Sequence, residues 1–167
     1  MRLAALALLT VVVAAANGAV VAEPAIGSVA PEFGGTRFYN LPAGVTKVTL
    51  ADERGRVVLI DFWATWCAPC VATIPHAIEL YAKFHAQGLE VIGHTDASSE
   101  DLDAFIKAKG IPYIISVGPD IGDAFGAALI PHAVLIDPDG KVAWQGPPAE
   151  LTEQTVADLI KTVKKPH

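Results

Sequence analysis

Apolar and polar positions alternate along this chain in distinct rhythms. Residues 57–62, Val-Val-Leu-Ile-Asp-Phe, form an apolar run carrying one carboxyl, the pattern of a central strand covered on both faces. Residues 70–87 then place Ile74, Ile78, Tyr81 and Phe84 at helical spacing, and Gly88 stands where a helix-ending residue belongs. Residues 89–92 read as a second buried strand. Ser98, Ser99, Glu100 and Asp101 open a further helix, with Leu102, Phe105 and Ile106 as its apolar stripe. A short strand at 113–117 and a short helix at 121–125 follow. Residues 133–136 and 141–144 flank Asp137-Pro138-Asp139-Gly140, which has the turn chemistry of a β-hairpin. Residues 152–164 close the chain as an amphipathic helix with Leu159, Ile160 and Val163. Upstream, residues 23–44 are rich in Gly and Pro and read as an extended lead-in. Residues 45–51 resemble a strand closed by a turn at Asp52-Glu53-Arg54-Gly55. Strand–helix–strand alternation followed by a hairpin and a helix predicts one α/β domain over residues 45–167, with a mixed central sheet flanked by helices.

The first residues have a different rhythm. Arg2 is a minimal positive start, and residues 3–16 are apolar except for Thr10. Asn17 and Gly18 interrupt the run, and Val20-Val21-Ala22 supplies small residues before Glu23. This is the layout of a secretory signal peptide over residues 1–22, with export to the periplasm or beyond. The run is short for a membrane span, which needs about 20 apolar residues. Extended to Ala22 it just reaches that length, so an uncleaved membrane anchor stays open as the alternative.

Composition narrows the partners. The 167 residues carry 12 Lys and Arg against 18 Asp and Glu, a formal charge of −6, with no basic run to track a phosphate backbone. Nucleic acid is therefore excluded as the expected partner. The chain has 2 cysteines, Cys67 and Cys70, and none remain for a wider disulfide framework. In an exported chain, an isolated pair this close reads as an active pair.

The chemistry concentrates in Asp61-Phe62-Trp63-Ala64-Thr65-Trp66-Cys67-Ala68-Pro69-Cys70. A buried strand ends here and the cysteines fall where the next helix begins. A helix N-terminus presents unpaired N–H groups and the positive end of the dipole, which favour a thiolate at Cys67. Cys70 lies one turn later on the same side, placed to resolve a mixed disulfide formed by Cys67. Pro69 is tolerated because a first-turn residue has no intrahelical N–H bond to lose. A purely structural disulfide is disfavoured, because so short a loop hardly restricts the unfolded chain. Zinc would need two more ligands, and His76, His94 and His132 are not at ligand spacing. Asp137-Pro138-Asp139-Gly140 lacks the further ligands of a calcium loop.

These residues resemble the thioredoxin superfamily, and within it the exported TlpA/ResA-like thiol–disulfide oxidoreductases. The resemblance rests on the run from Asp61 to Cys70, Pro75 in the following helix, Ile130-Pro131, and Leu135 to Gly140, and spans roughly residues 44–164. It implies a thioredoxin-like fold and a protein-disulfide oxidoreductase, acting as a reductant, with no bound cofactor because the two thiols carry the electrons. It also implies protein thiols or disulfides as substrates, and an upstream electron donor such as a membrane thiol relay. It further implies a cis Ile130-Pro131 bond facing the cysteines, beside a substrate groove formed with Trp66, Ala68 and Pro69. His132 replaces the Thr common after this Pro. It reads either as a polar group at the groove or as a histidine that only packs. Many TlpA/ResA-like proteins place a Glu three residues after the second cysteine; here that residue is Thr73. The proton role then falls on Asp61, a strand carboxyl whose burial disfavours its charge. Two other classes compete. A peroxidase resembling the peroxiredoxins would want a Pro before Thr65 that this chain lacks. A binding module with an idle disulfide would not need an intact Trp66-Cys67-Ala68-Pro69-Cys70.

Overall fold

The computed structural model describes residues 24–96, 101–118 and 122–164. The proposed signal peptide therefore lies outside the described residues, as do Ser98, Ser99 and Glu100. Six strands form one sheet: β1 (Arg37–Tyr39), β2 (Val57–Phe62), β3 (Leu89–Thr95), β4 (Ile114–Val117), β5 (His132–Ile136) and β6 (Val142–Gly146). Their order is β1-β4-β3-β2-β5-β6. β2, β3 and β4 are mutually parallel, while β1, β5 and β6 pair antiparallel. The helices are α1 (Ala68–Phe84), α2 (Leu102–Lys109) and α3 (Glu153–Ile160). This is the mixed-sheet α/β fold of the thioredoxin-like class.

All six residues of β2 are buried, as the apolar run predicts. α1 follows directly and ends through a 3-10 turn at Gly88, whose φ of 110° suits a residue without a Cβ. One side of the sheet meets the helices. Val57, Leu59 and Trp63 pack there with Ile74, Leu80 and Phe84 of α1, Leu102 and Ile106 of α2, and Val156 of α3. The other side, with Val58, Ile60 and Phe62, is covered by Ala30, Phe33, Val48, Leu50, Phe125 and Ala127 from irregular segments.

Residues 45–51 do not form the expected strand. Val48 and Leu50 are buried, but their segment bonds locally: Glu53 N–H donates to Leu50 O, Thr49 and Asp52 bond side chain to side chain at 2.6 Å, and Leu50 N–H donates to Glu32 Oε1. Burial alone imitated a strand pattern there, while a Thr–Asp turn took the backbone groups. The first strand instead lies in the lead-in, where β1 pairs with β4 through Phe38 and Ser116. β3 also runs three residues beyond the expected Ile92, because Gly93, His94 and Thr95 find partners on both β2 and β4 or on β4 alone. α3 is shorter than residues 152–164, closing in turns at Thr162 and Val163.

Candidate active site

The sheet delivers the cysteines through a short link. β2 ends at Phe62, Trp63 N–H still bonds His94 O at 3.1 Å, and Cys67 N–H bonds Ala64 O at 3.1 Å. Cys67 is the N-cap of α1, with φ −84° and ψ 94°, and its Sγ accepts the Cys70 N–H at 3.3 Å. An N-cap normally offers an oxygen to this orphan donor; here sulfur takes that place. Cys67 and Cys70 are joined as a disulfide with a Cα separation of 5.2 Å. Both cysteines are buried, Cys70 fully and Cys67 with 5 % exposure, so Cys67 is the more accessible of the two. Ala68 and Pro69 fill the first turn between them. Thr73 does not stand in for a carboxylate, because its Oγ1 donates to Cys70 O at 2.8 Å.

Asp61 is buried on the helix-covered side of the sheet. Strand alternation puts it on the same face as Leu59 and Trp63, the face that packs with Cys67 and Cys70. Burial pushes its carboxyl up to about 7. Tyr113 packs in the same cluster, and its phenol is pushed up by burial and, secondarily, by the Asp61 charge.

The Ile130–Pro131 bond is cis. Phe62 pairs with His132, so the antiparallel register sets Pro131 one step beyond, opposite the strand end that leads to the cysteines. Trp66 and Leu129 stand out from the surface at 75 % and 85 % exposure. A cavity of about 160 Å³ is lined by Trp63, Trp66, His94, Asp96, Ala128 and Ile130, among others. His132 is placed differently from Pro131. Alternation along β5 turns its ring to the far side of the sheet, where it packs on Phe62 at 6.3 Å between ring centres. Of the two readings of His132, its contact with Phe62 favours the histidine that packs, and it is not among the residues lining this cavity.

Residues 26–145 match the AhpC/TSA family. The chain belongs to that family. Within the AhpC/TSA family it is similar to the thiol-disulfide oxidoreductase ResA of Bacillus thuringiensis (strain Al Hakam), 35% identical over 144 residues, covering 84% of this chain and 78% of the relative. Among solved structures it is similar to a putative thiol:disulfide interchange protein DsbE from Chlorobium tepidum, with a TM-score of 0.71 and 30% identity, over 83% of this chain and 99% of that one. A thiol:disulfide interchange protein from Bacteroides sp. superposes with a TM-score of 0.66 at 25% identity, over 83% of this chain and 90% of that one. The AhpC/TSA chain is a thiol–disulfide oxidoreductase with a Cys67–Cys70 redox pair.

The geometry brings Cys67, Cys70, Ala68, Pro69 and Asp61 to one end of β2 and α1, and the register brings Ile130 and Pro131 alongside. Trp66 rims the site. His94 and Asp96 line the cavity but were not visible as site residues in the sequence, since each sits in a segment with no motif of its own, and only the sheet order brings them there.

Proposed function

We propose that this oxidoreductase reduces protein disulfides in the cell envelope. The observation that carries the reading is the cap geometry: the Sγ of Cys67, the more exposed of the two cysteines, receives the Cys70 N–H, while Cys70 is fully buried on the sheet face that carries a buried carboxyl. Reduced Cys67, as thiolate, attacks a substrate disulfide held along Trp66 and the Ile130-Pro131 backbone. A mixed disulfide forms and the first substrate sulfur leaves. Asp61 takes the proton from Cys70, and the Cys70 sulfur attacks Cys67. The Cys67–Cys70 bond forms and the second substrate sulfur departs as thiolate. No bound cofactor is needed, since the two sulfurs carry both electrons. An upstream thiol donor must recharge the pair.

The direction follows from what surrounds Cys67. Strong oxidants owe their potential to a stabilised reduced form. Ala68-Pro69 adds no charge or imidazole to the helix end, whose own effect is about 0.3–1 kcal/mol at exposed sites. The pair should therefore sit near thioredoxin, at about −270 mV, rather than near the strong oxidants at about −120 mV. The leader, Arg2 followed by the apolar run to Ala16, supports export. No described helix is long and apolar enough to cross a membrane. Equilibration of the full chain with a dithiothreitol or glutathione buffer tests the direction. A midpoint above about −180 mV, the value of an isomerase, would refute the reductant reading.

A further inference from the structure

A glycine makes room beside Asp61. Gly93 is the β3 residue paired with Asp61, so both face the side of the sheet that carries the cysteines. A Cβ on Gly93 would stand 2.7 Å from Trp63 Nε1, 2.7 Å from Ile115 Cδ1 and 3.3 Å from Tyr113 Cε2. The glycine therefore serves close approach: it lets the Trp63 indole nitrogen come up against β3 at the position paired with Asp61. Adjacent strands are about 4.8 Å apart, which puts that N–H within side-chain reach of the carboxyl.

Both groups are short of a partner. Trp63 Nε1 and Asp61 Oδ1 are buried atoms with no hydrogen bond among the described residues. One is only a donor, and the other is an acceptor once ionised. The strand positions flanking Asp61 offer it no side-chain donor. β3 contributes Gly93, β5 contributes Ala133, and α1 contributes Cys70 and Ile74. The other titratable groups packed on this side are Cys67 and Cys70, bonded to each other, Tyr113 and Tyr81, whose phenols burial pushes up, and Tyr39.

We propose that Trp63 is a positioning residue for the exchange reaction: its indole N–H, held over Gly93, hydrogen-bonds the ionised carboxylate of Asp61 and keeps it in the proton-accepting state. The proposal rests on the reading of Asp61 as the proton acceptor. In the resolving step the Asp61 carboxylate takes the Cys70 S–H proton. The Cys70 sulfur then bonds Cys67 Sγ, the bond from Cys67 to the substrate sulfur breaks, and the substrate leaves with the electron pair. The protein loses two electrons and the substrate disulfide gains them. The N–H of Trp63 is released as Asp61 becomes neutral. A buried donor that favours the charged form counters part of the burial effect on Asp61.

Two readouts test this on the full chain. Carbon-13 NMR of labelled Asp carboxyls follows the Asp61 titration in the oxidised protein. Single-turnover decay of a mixed disulfide with a cysteine peptide gives the pH profile of resolution. Trp63→Phe keeps the ring and removes the N–H. It should raise the Asp61 midpoint by about one pH unit or more, the scale of a hydrogen bond to a charged group, and move the resolution profile equally. Gly93→Ala, which displaces the indole, should shift both in the same direction. In an Asp61→Asn background, Trp63→Phe should leave the profile where it is. An unmoved Asp61 midpoint in Trp63→Phe, beside an Asp61→Asn profile that flattens, would overturn this proposal alone. An Asp61→Asn profile identical to the parent would overturn the proton role of Asp61, and the role of Trp63 with it.

Discussion

Replacing Asp61 by Asn should stabilise the oxidised protein increasingly as pH rises to neutrality, through a pH-dependent gain that is absent in acid. Asp61 is 2 % exposed, and burial raises its carboxyl from 3.8 to about 7. Below pH 3.8 the group is protonated in both the folded and the unfolded chain and has no effect on their balance. As pH rises, the unfolded chain ionises first, so it gains free energy that the folded chain cannot match. The loss grows until the folded carboxyl ionises near pH 7, then levels off. A rise of about three units at 1.36 kcal/mol each amounts to ~4 kcal/mol at pH 8, with little of it present at pH 4. Between pH 5 and pH 8 the wild type should lose ~2.5 kcal/mol that the variant keeps. Asn is neutral throughout and nearly isosteric, so its own unpaired amide adds only a constant offset. Urea unfolding of both proteins at pH 5, 6, 7 and 8, with the Cys67–Cys70 bond intact, gives the difference free of other titrating groups. A difference independent of pH would refute the claim that burial raises the Asp61 carboxyl.

At the opposite end of the sheet, Arg56 lies 3.1 Å from the buried Glu90 carboxylate and 3.5 Å from Glu53. Arg56→Ala strands Glu90 in the interior and should cost ~2–3 kcal/mol in denaturant unfolding, discounted for the partial exposure of Arg56, while leaving the exchange rate unchanged. Trp66, exposed beside Cys67, contributes little to packing. Trp66→Ala should leave stability within ~0.5 kcal/mol but raise KM for a protein disulfide, read from insulin or peptide reduction rates.

Much of this site is legible in the sequence. The apolar run from Val57 carries one carboxyl, and no surface strand would bury all six positions. The helix start at the cysteines followed from Pro69 and the spacing of Ile74, Ile78 and Phe84. What escaped was anything decided by sheet order. β1 has only three residues and draws its pairing from β4, far along the chain, so no local pattern announces it. The segment carrying Val48 and Leu50 has strand-like burial without ladder bonds, a distinction held in backbone partners rather than in side chains. His132 illustrates the same limit. Its neighbour Pro131 reaches the site end of β2, and a one-residue step along β5 sends the imidazole to the other face, against Phe62. The pairing of Asp61 with Gly93, and so the approach of Trp63, is likewise a fact of register.

The central claim is that Cys67 attacks and Cys70 resolves. Mixing the reduced Cys70→Ser protein with a disulfide-linked peptide and mapping the product by mass spectrometry tests it most directly. A stable peptide adduct should form on Cys67, and no adduct with Cys67→Ser under the same conditions. An adduct on Cys70 of the Cys67→Ser protein, with none on Cys67 of Cys70→Ser, would contradict it.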